Sequence, residues 1–325
     1  MPLVDMPLEE LLKYEGITPV PADFDEFWKK SLEEMKNTPR EVRLEKADFQ
    51  APGVSCYHLW FKGVRNARIH AKLLAPVEAE NGGVKAPALL RFHGYSGYCG
   101  PFSEYVGLAK CGFVVAALDA RGQGGLSEDT GGSYGRTFHG QIIRGLSDCP
   151  ENLIFRHIFL DTAELADIVM SFDFVDETRV GAYGNSQGGA LTIACASLEP
   201  RIAKAFPVHP FLCDYKRVWE MDLAKAAYAE ITEYFRWFDP RHEHEDEIFT
   251  RLGYIDLKNM TKWIKAEVVL ATGLMDTICP PSTQFSAYNK ITSKKRHIIY
   301  PDFGHEGLLD LDDEIYKFFF EFLDK

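Results

Sequence analysis

The sequence predicts an α/β domain built on a mostly parallel, doubly wound sheet, with an N-terminal helical extension and one inserted helical segment. Three observations carry this. From Lys85 onward, short runs such as APALLRFHG, FVVAALDARG, AKAFPVHP and AEVVLATG are apolar throughout rather than alternating. Helix-patterned stretches separate them, and unbroken apolar strands joined by helices mean a parallel sheet covered on both faces. The rhythm fails only once, after Cys213, where a long helical stretch without a strand intervenes.

Taken in order, residues 1–40 are polar and helical in pattern, with FDEFWKKSLEEM the clearest amphipathic set. CYHLWFKG and ARIHAKLLAP alternate on either side of a short VRN turn, which is a hairpin signal. APALLRFHG reads as a strand, SEYVGLAKCG as a helix and FVVAALDARG as a strand. The glycine-rich loop GQGGLSEDTGGSYGRTFHG (122–140) is long enough to be functional or part of an interface, within a loop region at roughly 122–157. HIFLDTAELADIVMSF is helical and precedes the strand RVGAYG; LTIACASL is helical and precedes AKAFPVHP. KRVWEMDLAKAAYAEITEYFRWFDPRHEHEDEIFTRL is helical, aromatic and charged, and marks an insert at roughly 214–262. AEVVLATG, SAYNKITS, RHIIYPDFG and the closing helix IYKFFFEFL complete one domain spanning 1–325.

Composition narrows the function classes. A net charge of −12 opposes binding to nucleic acid, whose phosphates demand basic surface, and to an anionic membrane. No apolar run approaches the ~20 residues of a membrane span. MPLVDMPLEELLKYEG lacks a basic segment followed by an apolar core, so no signal peptide is expected. The seven cysteines, Cys56, Cys99, Cys111, Cys149, Cys195, Cys213 and Cys279, include no CxxC pair and read as free thiols of a cytoplasmic protein. His242 and His244 in RHEHED stand two apart and share no helix face, and no third ligand follows at a metal-binding spacing. No metal is expected. His58, His70, His139, His157, His209 and His297 carry no pattern.

Chemistry concentrates around YGNSQGG, residues 183–189. Glycine costs roughly 0.5–1 kcal/mol against alanine inside a regular element, so three of them around one serine imply a turn too tight for side chains. G-x-S-x-G between a buried strand and a helix is the nucleophile elbow of the α/β-hydrolase fold, with Ser186 at its apex. A serine hydroxyl needs a base, and the base an orienting acid, in the chain order Ser, Asp or Glu, His. Asp276 follows the late strand AEVVLATG, and His305 follows the last strand in a glycine-flanked loop. Asp302 stands too close to His305 and reads as a turn residue; Asp119 precedes the elbow. An oxyanion hole requires two N–H donors. Gln187 follows the nucleophile, and Tyr95 in HGYSG lies in the loop after APALLRFHG.

RGQGG (121–125), GNSQGG (184–189), LMDTICPPST (274–283) and GHEG (304–307), in that order, resemble the acetyl xylan esterase / cephalosporin C deacetylase family, carbohydrate esterase family 7. The likeness runs from FDEFW to the closing helix. It implies a cofactor-free serine esterase acting on acetylated xylo-oligosaccharides and on the acetyl group of cephalosporin C. It assigns catalysis to Ser186, Asp276 and His305, and the oxyanion hole to Tyr95 and Gln187, with Tyr95 also meeting substrate. Arg121 and Gln123 would tie the sheet edge to the elbow. The resemblance also implies a homo-hexamer, a trimer of dimers with sites facing an inner chamber, whose dimer contact draws on residues 122–160. One departure is Ala227 before YAEI, where relatives commonly carry proline; it bears on the acyl-size limit. The rival readings are a broader short-chain carboxylesterase and a non-catalytic interaction protein on the same fold. A gated peptidase would need a further domain, and serine at the elbow excludes the cysteine and aspartate variants.

Overall fold

The apolar runs assemble into one nine-stranded sheet in the computed structural model, which describes residues 4–130 and 136–324. Part of the glycine-rich loop expected at 122–140, residues 131–135, lies outside the described residues. Helices α1 (Leu8–Leu11) and α2 (Phe24–Asn37) open the chain, followed by β1 (Arg43–Lys46) and the hairpin β2 (Val54–Gly63) and β3 (Ala67–Pro76). Then come α3 (Val77–Glu80), β4 (Ala86–Phe92), α4 (Val106–Lys110), β5 (Val114–Leu118), α5 (Ile154–Met170), β6 (Val175–Asn185), α6 (Gln187–Leu198) and β7 (Lys204–Val208). The insert supplies α7 (Tyr215–Glu220), α8 (Ala229–Phe238) and α9 (Glu245–Leu252). The chain closes with β8 (Glu267–Gly273), α10 (Pro281–Lys290), β9 (Lys295–Tyr300) and α11 (Leu311–Phe320).

The strand order is β1-β2-β3-β5-β4-β6-β7-β8-β9. The first four pair antiparallel, and from β5 across to β9 every neighbour is parallel. Every residue of β5 and β7 is buried, as unbroken apolarity requires of strands covered on both faces. Along β4, Ala88, Leu90 and Phe92 pack into the core shared with α2, α5 and α6, while Leu89 points to the opposite core with α4 and α11. Helix α5 is buried along nearly its whole length, so its charged groups need partners: Asp161 takes both Arg121 Nε at 2.7 Å and Nη2 at 2.5 Å.

Two elements and one side chain differ from expectation. β1 reads RLEK, with no apolar pattern, because it is a mostly exposed edge strand that borrows its hydrogen bonds from β2. SEYVGLAKCG, expected as a helix, makes one 3₁₀ turn and the short α4. Arg121 does not reach the elbow. It binds Asp161 and the Val64 carbonyl, since β5 ends beside α5 rather than beside the turn at Ser186.

The chain leaves β4 toward β5 on one side and returns to β6 on the other. At such a switch point the loops at the carboxyl ends of neighbouring strands splay apart and leave a crevice. Phe92 pairs with Gly184, so the loops carrying Tyr95 and Ser186 emerge side by side.

Candidate active site

Ser186 has φ 57° and ψ −120°, a backbone conformation that L-residues rarely adopt and that costs of order 1–3 kcal/mol. Main-chain bonds hold it there. Its N–H donates to Val208 O at 2.9 Å, and its carbonyl accepts from Ala190 N and Phe211 N at 3.0 and 3.1 Å. The flanking glycines are there because nothing larger fits. A Cβ on Gly184 would lie 2.6 Å from the backbone of Gly188, and one on Gly188 only 2.2 Å from Phe92 O. Helix α6 starts directly after Ser186, so its free N–H groups face the crevice and favour negative charge there.

Asp276 and His305 come from loops that are tied together: Met275 N donates to Phe303 O at 2.9 Å. His305 Nδ1 lies 2.8 Å from Asp276 Oδ2, and His305 Nε2 lies 3.0 Å from Ser186 Oγ. The other Asp276 oxygen accepts from Ile278 N and Cys279 N, both at 2.8 Å, and the carboxyl is fully buried. The His305 side chain keeps 23% of its surface, so the serine–imidazole edge is open to a small ligand. With Nδ1–H donating to the carboxylate, Nε2 is left as an acceptor for the serine proton.

The loop after β4 brings Tyr95 alongside. Gln123 links it to the elbow: its Oε1 accepts from Ser96 N at 2.9 Å, and its amide exchanges two hydrogen bonds with the Gln187 side chain at 2.8 and 3.0 Å. His93 accepts from Ala120 N at 2.9 Å through Nε2, and burial pushes its imidazole below the ordinary range, so it stays neutral. The Tyr95 phenol donates to Glu230 on α8, and burial, reinforced by the Glu230 charge, keeps the phenol protonated.

Several neighbours carry no local motif. The Cys279 thiol sits against the Ser186 hydroxyl, and burial, then the Asp276 charge, raises it well above the ordinary thiol range. Gln284 donates to Cys279 O at 2.6 Å and accepts from Thr272 Oγ1, bracing the Asp276 loop. His209 brings a second imidazole to Asp276, with Nδ1 at 3.6 Å and Nε2 on the Glu306 carbonyl at 3.2 Å. The GLMD and GHEG segments mark the loops but not these supports, which arrive from other elements. Ala227 is part-buried and packs beside Tyr228, whose ring stands 4.4 Å from that of Phe211. His242 and His244 lie at the surface of the insert, remote from Ser186 in their contacts, each beside an acidic side chain.

Sheet order and the strained serine turn together define the class: this is an α/β hydrolase. The chain belongs to the acetyl xylan esterase (AXE1) family, whose model matches residues 1–322. Acetyl xylan esterase 1 from Thermoanaerobacterium sp. JW/SL YS485 is 54% identical, with a TM-score of 0.94 over 98% of this chain and 99% of that one. Acetyl xylan esterase from Paenibacillus sp. R4 is 34% identical, with a TM-score of 0.89 over 97% and 99%. Acetyl esterase Axe7A of Xylanibacter ruminicola is 28% identical over 306 residues, 90% of this chain. The chain spans 64% of that relative's length.

Proposed function

We propose that the protein is a serine carboxylesterase that removes acetyl groups from acetylated xylo-oligosaccharides and other small acetyl esters, cephalosporin C included. The observation that carries this is the continuous line from Ser186 Oγ through His305 to Asp276, at 3.0 and 2.8 Å, at the mouth of the switch-point crevice. Two relatives named as acetyl xylan esterases, at 54% and 34% identity over nearly the whole chain, support the substrate class.

In this reading Ser186 Oγ attacks the acetyl carbonyl as His305 Nε2 takes its proton. Asp276 stabilises the imidazolium that forms. The Tyr95 and Gln187 main-chain N–H groups receive the oxyanion, each such donor being worth about 3–4 kcal/mol in other enzymes. His305 returns the proton to the departing sugar hydroxyl, and water then attacks the acetyl-enzyme and releases acetate. Ser186→Ala should lower kcat for p-nitrophenyl acetate by at least about 10³-fold with an unchanged thermal midpoint. Activity near wild type in that variant removes the assignment. A panel of acetyl, propionyl and butyryl esters, with acetylated xylo-oligosaccharide and cephalosporin C beside them, tests the substrate; faster turnover of butyryl esters favours a broader carboxylesterase.

The assembly belongs to the same proposal: a homo-hexamer arranged as a trimer of dimers. Phe138, Trp237 and Phe238 are all more than two-thirds exposed, large apolar side chains that association would cover. Light scattering at the mass of a single chain would dismiss it.

A further inference from the structure

The loop that carries Tyr95 has almost no structure of its own. Between His93 and Gly100, its one internal main-chain hydrogen bond among the described residues is Gly97 N to Gly94 O at 3.1 Å, and Ser96 sits at φ 59°. Other elements therefore decide where its N–H groups point. Asp119 holds Cys99 N, Gln123 holds Ser96 N, and the Phe138 carbonyl accepts from the Ser96 hydroxyl. Tyr95 itself is held through its side chain: the phenol donates to Glu230 and accepts from Gln141 N, and the ring stands edge-on to Phe211.

Glu230 is an unusual residue to find in this place. It is 1% exposed, on a helix of the insert, and its hydrogen-bond partners are neutral donors: the Tyr95 phenol, Ile142 N at 2.7 Å and Ile143 N at 3.4 Å. An apolar side chain of similar size would fill this site without the desolvation that a buried carboxyl entails. The Tyr95 hydroxyl in turn accepts from Gln141 N at 3.2 Å. One carboxyl thus fastens three separate stretches of chain at a single point beside the crevice.

We propose that Glu230 is a positioning residue for the reaction: by gripping the Tyr95 phenol, it fixes the direction of the Tyr95 main-chain N–H toward the oxyanion. The proposal rests on the serine-esterase reading and on Tyr95 as an oxyanion donor. A tyrosine side chain has two torsions and a rigid ring, so a phenol pinned at its far end leaves the main chain little freedom. Losing the grip frees the loop by an ångström or so, a displacement that costs up to about 10²-fold in rate. The Ile142 and Ile143 bonds add a second consequence. The segment that follows Phe138 is held by the same carboxyl that grips the Tyr95 phenol, so the two loops are fixed at one point.

The test is steady-state kinetics with p-nitrophenyl acetate on full-length Glu230→Gln, Tyr95→Phe and the double variant. Each single change should lower kcat about 10- to 100-fold while KM stays within about threefold, because the loss is confined to the transition state. The double variant should fall no further than the weaker single one, within about threefold, since both remove one contact. Wild-type kcat in either folded single variant overturns the proposal, as do losses that multiply in the double. If Glu230→Gln does not fold, Tyr95→Phe decides alone, because it deletes one oxygen and keeps the ring. Activity surviving in Ser186→Ala would instead sink the esterase reading itself, so the two failures are distinguishable.

Discussion

His305 Nδ1 lies 2.8 Å from Asp276 Oδ2, and His70 Nδ1 lies 2.7 Å from Asp119 Oδ2. Each carboxyl also accepts two main-chain N–H groups: Ile278 and Cys279 at Asp276, Cys99 and Leu126 at Asp119. By local geometry the two pairs are nearly interchangeable. They part at the far ring nitrogen. His305 Nε2 meets the Ser186 hydroxyl in an open crevice, whereas His70 Nε2 meets His58 Nδ1 at 2.8 Å and has no exposed surface. A histidine–aspartate bond is therefore not a site by itself. At His305 it turns Nε2 toward the Ser186 hydroxyl, the orientation that the proposed proton transfer requires. At His70 the same bond ties β3 to the end of β5 and, through Cys99 and Leu126, to two crossing loops.

Exchanging the insult between the pairs should separate the roles. Asp276→Asn should cut kcat by about 10³- to 10⁴-fold with the fold intact, because the imidazole loses its tautomer and its counter-charge. Asp119→Asn should instead destabilise the fold by about 3 kcal/mol or more, while kcat of the folded fraction falls less than about tenfold. Urea titrations and kinetics on both variants check this, and equal kcat losses would erase the distinction.

Acid should act on the structural pair in a defined direction. Burial alone would raise the Asp119 carboxyl, but the His70 hydrogen bond, with the Leu126 and Cys99 N–H groups, outweighs it and holds the carboxyl well below the ordinary range. The folded value thus lies below the unfolded one near 3.9, so this stabilisation is complete above about pH 4 and is lost as pH falls below it. Asp119→Asn should flatten that loss in a series of urea midpoints.

A histidine without an aspartate sharpens the contrast. His157 donates from Nε2 to Glu151 O at 2.9 Å, and burial, followed by the Arg121 and Arg156 charges, pushes its imidazole down to about 3. It stays neutral in the fold while the unfolded chain binds a proton below about pH 6.5, so stability declines as pH falls from there toward 3. The slope is at most about 1.4 kcal/mol per pH unit, and His157→Gln should remove it. The smallest effect is expected at His209. Its Nδ1 is too far from Asp276 for a hydrogen bond, so His209→Asn should leave kcat within about threefold of wild type.

Much of this architecture was readable from residues alone. Unbroken apolar runs exposed the parallel strands, and helical spacing between them exposed the crossovers, because burial on two faces leaves no polar positions to vary. β1 escaped, since an edge strand of RLEK buries almost nothing and so leaves no pattern. Ser186 was legible because its turn demands glycines, and Asp276 and His305 because each follows a strand in the order the fold dictates. Glu230 was not. It sits in a helix that reads only as aromatic and charged, 135 residues from the tyrosine it grips. The pairing of His70 with Asp119 leaves no local signal for the same reason, since their bond joins segments 49 residues apart in the chain.

Local and periodic properties were decided within the sequence itself: which runs become strands, where the backbone must turn sharply, and which hydroxyl stands at the turn. These depend on steric limits and apolar burial that each residue carries with it. Contact between side chains distant in the chain was decided only by the packed sheet, whose register sets Phe92 beside Gly184 and so brings two loops to one crevice. Hydrogen bonds act over a few ångströms, so whether a buried carboxyl turns an imidazole toward a serine, braces a loop or staples two strands depends on what the fold sets within that reach.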